Sequence, residues 1–590
     1  MFAQPLLLIE GAADNADITK QGPYVDTIRY QIMENQEDAI AALQNGEVEV
    51  ILDSVEPQYL DELEESANID LGKTNRNSYG FFLFNYERYP LNMTVLRRAA
   101  AFAFDKEEVA NETWNGYAEV IDSPVPRMNP FSAEDDLGYH YYEAETEHAN
   151  SLLDDAGFEI NDATSYRQAP NGEPFHIWID SSWDSEIQFA VANVLEDAFE
   201  SIHINASAVQ VDPYDMKCRT TNFDIRLLEN RFEDFTVDWL ASRLYMGGWG
   251  CLCAQYQPYQ DILEARNASF RYWKEQLLEA ESFEATREAA VEIQKIIVYE
   301  CPMIAAYDNK YLSAYRTDHF EEFVRGYHQG VESWWMPYQA QPIENGGMQM
   351  GSTLAIASLS YVDSFNLMRG TSPVPDRIDQ MFYDSLIRVG PEGNDINWFA
   401  SDYSVETHAD NSSVPENHTR ITYSFIENAT WTDGEPLTAE DVAFSLNYYR
   451  DAPGCPFGTG LAKLTTAYAF SPDILIVELE TGSFWAARRI GYKPIIPKHI
   501  FSQIGITGWN TWDPNPPDEE MVTSGPFNVS AYVRGEHLNL TKNAAYPFLP
   551  TTARETTQPT GNGLQQGMLF IIGLTGVVIV LLVGYRIAVR

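Results

Sequence analysis

Segments typical of strands alternate with segments typical of helices along most of this chain. Residues from Thr27 to Met33 have a strand pattern, and Asn35 follows as a candidate cap for a helix that Gly46 closes. A second apolar strand, VEVIL, begins at Val48. This strand-helix-strand order recurs along the chain and predicts an α/β fold.

Longer helical patterns lie between the strands. They predict helices from Asn92 to about Trp114, from Ser185 to Ser201 and from Trp273 to Tyr299. A chain of 590 residues exceeds the size at which one core keeps growing, so we expect more than one lobe. A Gly-rich stretch at 339–351 interrupts the periodicity and divides the body into segments 1–345 and 346–549.

The second segment repeats the alternation of strands and helices. Thr438 is a candidate helix cap, with Asp441 as its reciprocal partner three residues later. Strands are predicted from Thr353, over Ile421–Phe425, over Ile474–Leu479 and over His537–Thr541.

The end of the chain has the pattern of a membrane anchor. Residues 567–585 are uncharged and almost entirely apolar, and a helix of that length measures roughly 28 Å, enough to span a bilayer. Arg586 and Arg590 follow directly, which predicts a cytoplasmic tail at 586–590 and an extracellular body. Residues 550–566, rich in Thr and Pro, are typical of a stalk.

Nine N-x-Ser/Thr sequons precede the apolar run and none follows it, which indicates an exported glycoprotein. The first residues have no basic region and only a short apolar run, so they lack the pattern of a secretory signal. We therefore expect the sequence to lie inside a longer gene product.

Charge and motif content narrow the function. The formal net charge of -49 repels nucleic acid, so we expect no nucleic-acid partner. No hydrolase, zinc-protease, Walker or EF-hand motif occurs, and ten scattered histidines offer no ligand spacing, so we expect no enzymatic activity, no cofactor and no metal site. Five cysteines cannot all pair, and one bridge, from Cys218 to Cys251 or Cys253, stays open.

Several stretches resemble the family 5 extracellular solute-binding proteins, the oligopeptide- and dipeptide-type receptors of ABC importers. The most specific is TWTDGEPLTAEDVAFSLNYY, from Thr430 to Tyr449. Further similarity lies in PIIPKHIF, in SGPFNVSAYVRGEHLNLTKNAAY, in SLSYVDSFNLMRG, in GPYVDTIRYQIMENQEDAIAALQNGEVEVI, in VLRRAAAFAFDKEEV and in HANSLLDDAGF. The resemblance covers nearly everything from Gly22 to Tyr546.

The order of the two halves differs from that of the family. Segment 1–345 resembles the family's C-terminal half, whereas segment 346–549 resembles its N-terminal half. Two explanations remain open: a circular permutant, in which Gly22 and Tyr546 lie close together, or a fragment of a longer tandem protein. A structure in which the two segments do not form one two-lobed body would exclude the permutant.

The resemblance implies a two-lobed periplasmic-binding-protein-like fold of type II, similar to cluster C, that closes over a ligand. It implies a small solute, expected to be an oligopeptide, that is passed to ABC permease and ATPase subunits. The alternative is a cell-surface receptor or structural protein that reuses the binding fold without transport. The C-terminal helix adds the membrane as a further partner.

The resemblance also places ligand-binding residues. The loop after the first strand of the family's N-terminal half borders its cleft, and here that loop contains Tyr361, Asp363, Ser364 and Phe365. The family uses an acidic residue after an F-D-I strand, in a W-x-A-D-like stretch. The matching stretch here offers Asn230, Glu233 and Asp234 instead of that pattern.

Two tryptophans have alternative interpretations. Trp431, beside the Asp433-Gly434 turn, could contact ligand or could pack the hairpin against its lobe. Trp485 is ambiguous in the same way.

Overall fold

The computed structural model describes residues 20–183, 185–212, 222–232, 235–241, 263–264, 267–343, 352–369, 373–458, 460–482 and 484–550. Those up to Leu549 form one compact unit.

The strands and helices of the described residues alternate as the sequence pattern predicts. In chain order the strands are β1 (Thr27–Ile32), β2 (Val50–Ile51), β3 (Ile69–Thr74), β4 (Ser78–Phe84), β5 (Ala118–Glu119), β6 (Ile177–Ser182), β7 (Ala206–Val211), β8 (Ile225–Arg231), β9 (Met303–Asn309), β10 (Tyr311–Arg316), β11 (Phe320–Glu321), β12 (Gln341–Pro342), β13 (Thr353–Ser358), β14 (Ile387–Val389), β15 (Asp395–Asn397), β16 (Ala400–Thr407), β17 (Thr419–Phe425), β18 (Leu464–Ser471), β19 (Ile474–Leu479), β20 (Phe527–Val533) and β21 (His537–Lys542).

The helices are α1 (Gln36–Asn45), α2 (Leu60–Glu64), α3 (Thr94–Ala103), α4 (Lys106–Glu108), α5 (Thr146–Asp155), α6 (Glu186–Ser201), α7 (Ala268–Glu279), α8 (Phe283–Glu300), α9 (Trp335–Gln339), α10 (Pro373–Phe382), α11 (Ala439–Asp451), α12 (Ala486–Gly491) and α13 (Lys498–Ile504).

The first lobe is built on a sheet whose described strands have the order β20-β21-β1-β13-β2-β10-β3. Strands β1, β13 and β2 at its centre are parallel, with Thr27 opposite Thr353 and Ile356 opposite Val50. Helices α1 and α2 cover one face, and an aromatic core that contains Trp398 covers the other. Burial on both faces explains why β2 and the middle of β13 are apolar, whereas β1 alternates buried Ile28 and Tyr30 with the exposed Arg29.

Strands from both sequence segments share this sheet. Strands β1, β2, β3 and β10 come from segment 1–345, and β13, β20 and β21 come from segment 346–549. The backbone N–H of Gly22 donates to the carbonyl of Phe548 at 2.9 Å. The two segments therefore fold as one body, and the boundary at 339–351 separates them in sequence only.

A second sheet extends the first lobe, with the antiparallel order β16-β17-β19-β18. Its inner face belongs to the same apolar core, where α11 packs against it. The Thr438 side chain and Asp441 form a reciprocal capping box at the start of α11, as the sequence predicts.

The second lobe, residues 78–309, contains a sheet with the order β5-β9-β4-β8-β6-β7. Strands β6, β7 and β8 are parallel, and β4 is antiparallel to β8 and β9. Successive side chains of β4 enter separate cores: Phe82 packs beneath α3 and α6, and Phe81 packs beneath α7 and α8.

Two predicted long helices are interrupted. The helix predicted from Asn92 to Trp114 ends at Ala103, because the buried Phe104 is extended and the Asp105 side chain caps α4. The helix predicted from Trp273 to Tyr299 is two helices, because Ser282 caps α8 by accepting from the Ala285 amide. The helix predicted from Ser185 is confirmed, with Ser185 as its cap.

No helix in the described part of the chain is long and apolar enough to cross a bilayer. The apolar run at 567–585 lies outside the described residues, as do the stalk and tail around it.

Candidate functional site

Two short chain crossings connect the lobes. One runs from Thr74 of β3 to Ser78 of β4, and the other from Asn309 of β9 to Tyr311 of β10. Arg76 and Asn309 tie the crossings together, because the guanidinium donates to the Asn309 Oδ1 at 3.0 Å. Because hinges consist of a few loop or element-terminal residues, we call this pair of crossings the hinge.

The parallel strands of the first lobe end at this hinge. The amide of Val55, just after β2, donates to the carbonyl of Leu312 at the start of β10. Because β13 and β1 run parallel to β2, their carboxyl ends reach the same edge. The loop after β13, residues 359–365, therefore lies at the hinge edge of the first lobe, where open α/β sheets place ligands.

Members of this loop differ in exposure. Tyr361 and Asp363 are exposed, and Ser364 is partly buried and donates to Asp513 at 2.9 Å. Arg534 stacks over the Tyr361 ring, 5.1 Å from its centroid. Phe365 differs from the expectation: it is 3% exposed, because its ring packs into the core of the lobe.

The parallel strands of the second lobe also end at the hinge. Arg231, the last residue of β8, pairs with Ser78, the first residue of β4. Because β6 runs parallel to β8, its carboxyl end lies at the same edge, and Trp183 follows it there with its side chain 61% exposed. Sequence analysis missed Trp183, because the sequence does not show that this aromatic residue after a strand is exposed. We take the hinge edges of both lobes together as the candidate site, and we call the space between them the groove.

A row of polar residues crosses the sheet of the second lobe beside the hinge. Tyr307, Gly80 and Glu229 are opposite one another on β9, β4 and β8. The Tyr307 hydroxyl donates to Glu229 at 3.2 Å, and the Arg76 guanidinium lies 3.7 Å from the other carboxylate oxygen. Burial, then the charge of Glu229, raises the pKa of Tyr307 far above its usual value, so the phenol stays a donor.

The glycine in this row is required by the tyrosine. A Cβ on Gly80 would lie 2.1 Å from the Tyr307 ring, so only a residue without a side chain lets the ring lie across β4. Gly80 thereby positions the hydroxyl that holds Glu229.

The remaining predicted site residues are placed as follows. Asn230 is fully buried and donates to the Tyr79 hydroxyl at 2.8 Å, so it supports the core of the second lobe. Trp431 is fully buried in the core of the first lobe, which matches its packing interpretation. Glu233 and Asp234 lie outside the described residues.

One cluster of potential metal ligands occurs in the described residues: Asp122, Glu134 and His140. Both carboxylates are buried and already have cationic partners. Lys106 Nζ lies 2.5 Å from Asp122, and Arg127 Nη2 lies 3.6 Å from Glu134. Each of the two buried carboxylates therefore has a cationic partner within the protein.

The cysteines give no redox centre in the described part of the chain. Cys301 and Cys455 are buried free thiols, and burial raises the pKa of Cys301 to about 12. Cys218, Cys251 and Cys253 lie outside the described residues, so the bridge between them stays a prediction.

Comparison with known sequences finds one family. Its profile, described as Bacterial extracellular solute-binding proteins, family 5 Middle, matches residues 13–249 and 404–560. A Brucella ovis protein named for ABC transporter peptide binding is 25% identical over 134 residues, 22% of this chain and 24% of its own. The oligopeptide-binding protein AppA of Bacillus subtilis is 20% identical over 198 residues, 34% of this chain and 36% of its own. The chain thus spans about a quarter to a third of the length of these relatives.

Comparison with solved structures finds similar chains. AppA of Bacillus subtilis in complex with a nonapeptide aligns with a TM-score of 0.45 and 15% identity, over 53% of this chain and 59% of AppA. NikZ of Campylobacter jejuni in complex with Ni(L-His) aligns with a TM-score of 0.44 and 16% identity, over 52% of this chain and 60% of NikZ.

Proposed function

Because the chain belongs to the family 5 bacterial extracellular solute-binding proteins, which are binding proteins and not enzymes, we propose that it binds a peptide between its lobes for an ABC importer. The observation that carries the proposal is the hinge. Parallel strands of both sheets end beside the two chain crossings, so loops from both lobes border one groove.

The residues that we propose to contact the peptide lie on both edges of this groove. Tyr361, Asp363 and Ser364 belong to the first lobe, and Glu229 and Trp183 to the second. Exposed aromatic rings supply contact area at low entropic cost, and carboxylates accept from peptide amide or amino groups. Names of relatives support the choice of a peptide, since they describe peptide-binding and oligopeptide-binding proteins.

We further propose that the two halves of the family fold stand in reversed order in this chain. The pairing of β1 with both β13 and β21 supports the proposal, because it joins the start of one segment to both ends of the other. The contact between Gly22 and Phe548 supports it as well. This arrangement agrees with a circular permutant.

Attachment to the membrane would keep the protein close to an importer. We propose that residues 567–585 form a single-pass anchor with the body outside, because the run is uncharged and two arginines follow it. The partners would then be ABC permease and ATPase subunits. Removal of residues 551–590 should move the protein from the membrane fraction to the soluble fraction.

Isothermal titration of the full chain with a defined mixture of short unmodified peptides tests the proposed function. We expect saturable heat, and we expect Tyr361→Ala to weaken binding about tenfold, as loss of a central aromatic contact does. Tyr468→Ala is the matched control, because Tyr468 is 43% exposed against 39% for Tyr361 but lies on β18, in the four-stranded antiparallel sheet of the first lobe. Absence of saturable heat would favour the receptor or structural role.

A further inference from the structure

One tryptophan crosses from the first lobe into the core of the second. Trp485 precedes α12 of the first lobe, yet it is fully buried in the apolar cluster that contains Phe81 and Ile293 of the second lobe. Its ring centroid lies 5.4 Å from that of Phe131. A large aromatic side chain inserted between such partners is a strong apolar contact.

The backbone beside this tryptophan also joins the lobes. The amide of Phe484 donates to the carbonyl of Ala280 at 2.7 Å, immediately before the Ser282 cap of α8. The Phe484 ring packs against Phe283, with centroids 6.4 Å apart. An interlobe backbone hydrogen bond requires close and well-defined contact, so these segments meet in one fixed register.

Two neighbouring arginines of α12 bind opposite lobes. Arg489 Nη2 lies 2.5 Å from Asp238 of the second lobe, with 17% of the arginine and 25% of the aspartate side chain exposed. Arg488 Nε lies 3.0 Å from Asp395 of the first lobe. Helix α12 is therefore anchored in its own lobe by one guanidinium and attached to the other lobe by the next.

We propose that Phe484–Arg489 is a latch that holds the two lobes together without ligand. The interlobe contacts described above join the latch to Phe131, Ala280, Phe283 and Asp238, and these four residues lie outside the loops that border the groove. The latch would then lower the free-energy cost of bringing the lobes together on binding, because the binding-competent arrangement is populated before a peptide arrives. The latch therefore sets the apparent affinity through residues that do not touch the ligand.

Hydrogen exchange of the Phe484 amide in the ligand-free full chain tests the latch directly. This amide is protected only while it donates to Ala280, so we expect strong protection in the unchanged protein. We expect Arg489→Gln to accelerate its exchange about tenfold, because the change removes a partly buried ion pair. Amides of α11 and α8 should keep their protection and show that both lobes remain folded.

Arg420→Gln is the matched control, since its guanidinium lies 2.5 Å from Glu478 within the first lobe, with 22% and 17% of the two side chains exposed. Its Phe484 amide should exchange within about twofold of the unchanged protein. Trp485→Ala should accelerate exchange, and Trp485→Phe should restore part of the protection. Equal effects of Arg420→Gln and Arg489→Gln, or an unprotected amide in the unchanged protein, would overturn the latch.

An affinity measurement completes the test, and this part alone rests on the proposed function. Titration with the same peptide mixture should show weaker binding by Arg489→Gln and unchanged binding by Arg420→Gln. Faster exchange together with unchanged affinity would contradict a role in binding. If no peptide binds at all, the proposed function fails, while the exchange result still decides the latch.

Discussion

Burial separates residues that could bind a ligand from residues that support the fold. Tyr361 and Phe365 belong to one predicted loop, but only Tyr361 is exposed, because Phe365 turns into the core. Trp431 and Asn230 are buried in the same way. The sequence pattern placed this loop after a strand, as the structure does. It could not reveal which side chains point inward, because that depends on contacts with distant segments, such as the contact of Phe365 with Tyr532.

Gly80 offers a residue-scale prediction about the groove. Gly80→Ala places a Cβ 2.1 Å from the Tyr307 ring, so we expect the free energy of unfolding to fall by about 1–3 kcal/mol. Thermal unfolding measures the loss. Gly138→Ala is the matched control, because a Cβ there meets nothing within 4 Å. Equal melting temperatures for the two variants would contradict the close packing of Tyr307.

Asp308, at the end of β9 beside the hinge, offers a prediction about pH. Burial raises the pKa of Asp308 from 3.8 to about 7. The folded protein therefore binds more protons than the unfolded chain between pH 4 and 7, so this residue lowers stability as pH rises through that window. The raised pKa corresponds to a loss of about 4 kcal/mol.

Asp308→Asn removes this dependence. We expect its urea midpoint to exceed that of the unchanged protein at pH 8, with the difference disappearing near pH 4. An advantage that stayed constant from pH 4 to 8 would show that Asp308 does not titrate in this range.

At the scale of elements, local signals predicted the strands better than the long helices. Strands from Thr27 and Thr353 and the helix from Ser185 agree with the sequence pattern. The two long helices are broken where a side chain competes for the backbone, at Asp105 and Ser282. Apolar periodicity continues across both breaks, so the pattern alone could not show them.

The cap of α11 gives a prediction for one element. Thr438→Ala removes a side chain that accepts from the Glu440 amide, so we expect a loss of about 1 kcal/mol in the free energy of unfolding. Thr465→Ala, at an exposed position of β18, is the control and should cost less. Chemical denaturation of both variants provides the comparison, and equal losses would deny the capping box an energetic role.

At the scale of the whole molecule, the order of segments 1–345 and 346–549 along the chain does not by itself determine how they pack together. Motifs of the two segments could be recognised in sequence, but their packing into one body follows from sheet pairing that joins residues more than 300 positions apart, such as Thr27 and Thr353. No local pattern encodes such a pairing. The groove also depends on this strand pairing, because the loops that border the groove come together only when the shared sheet forms.

A chain with exchanged segments tests the proposed order. Residues 352–549 followed by a short flexible linker and residues 20–343 should fold to the same structure, since Gly22 and Phe548 are in contact. We expect an unchanged urea midpoint. Failure of this chain to fold would contradict the proposal that reversed halves form one family domain.

The central claim is that both lobes contact one ligand, and a hydrogen-exchange footprint tests it most directly. On addition of the peptide mixture to the full chain, we expect added protection in residues 359–365 and in the end of β8 at Arg231 at the same peptide concentration. Protection of one edge without the other, or of neither, would contradict binding between the lobes.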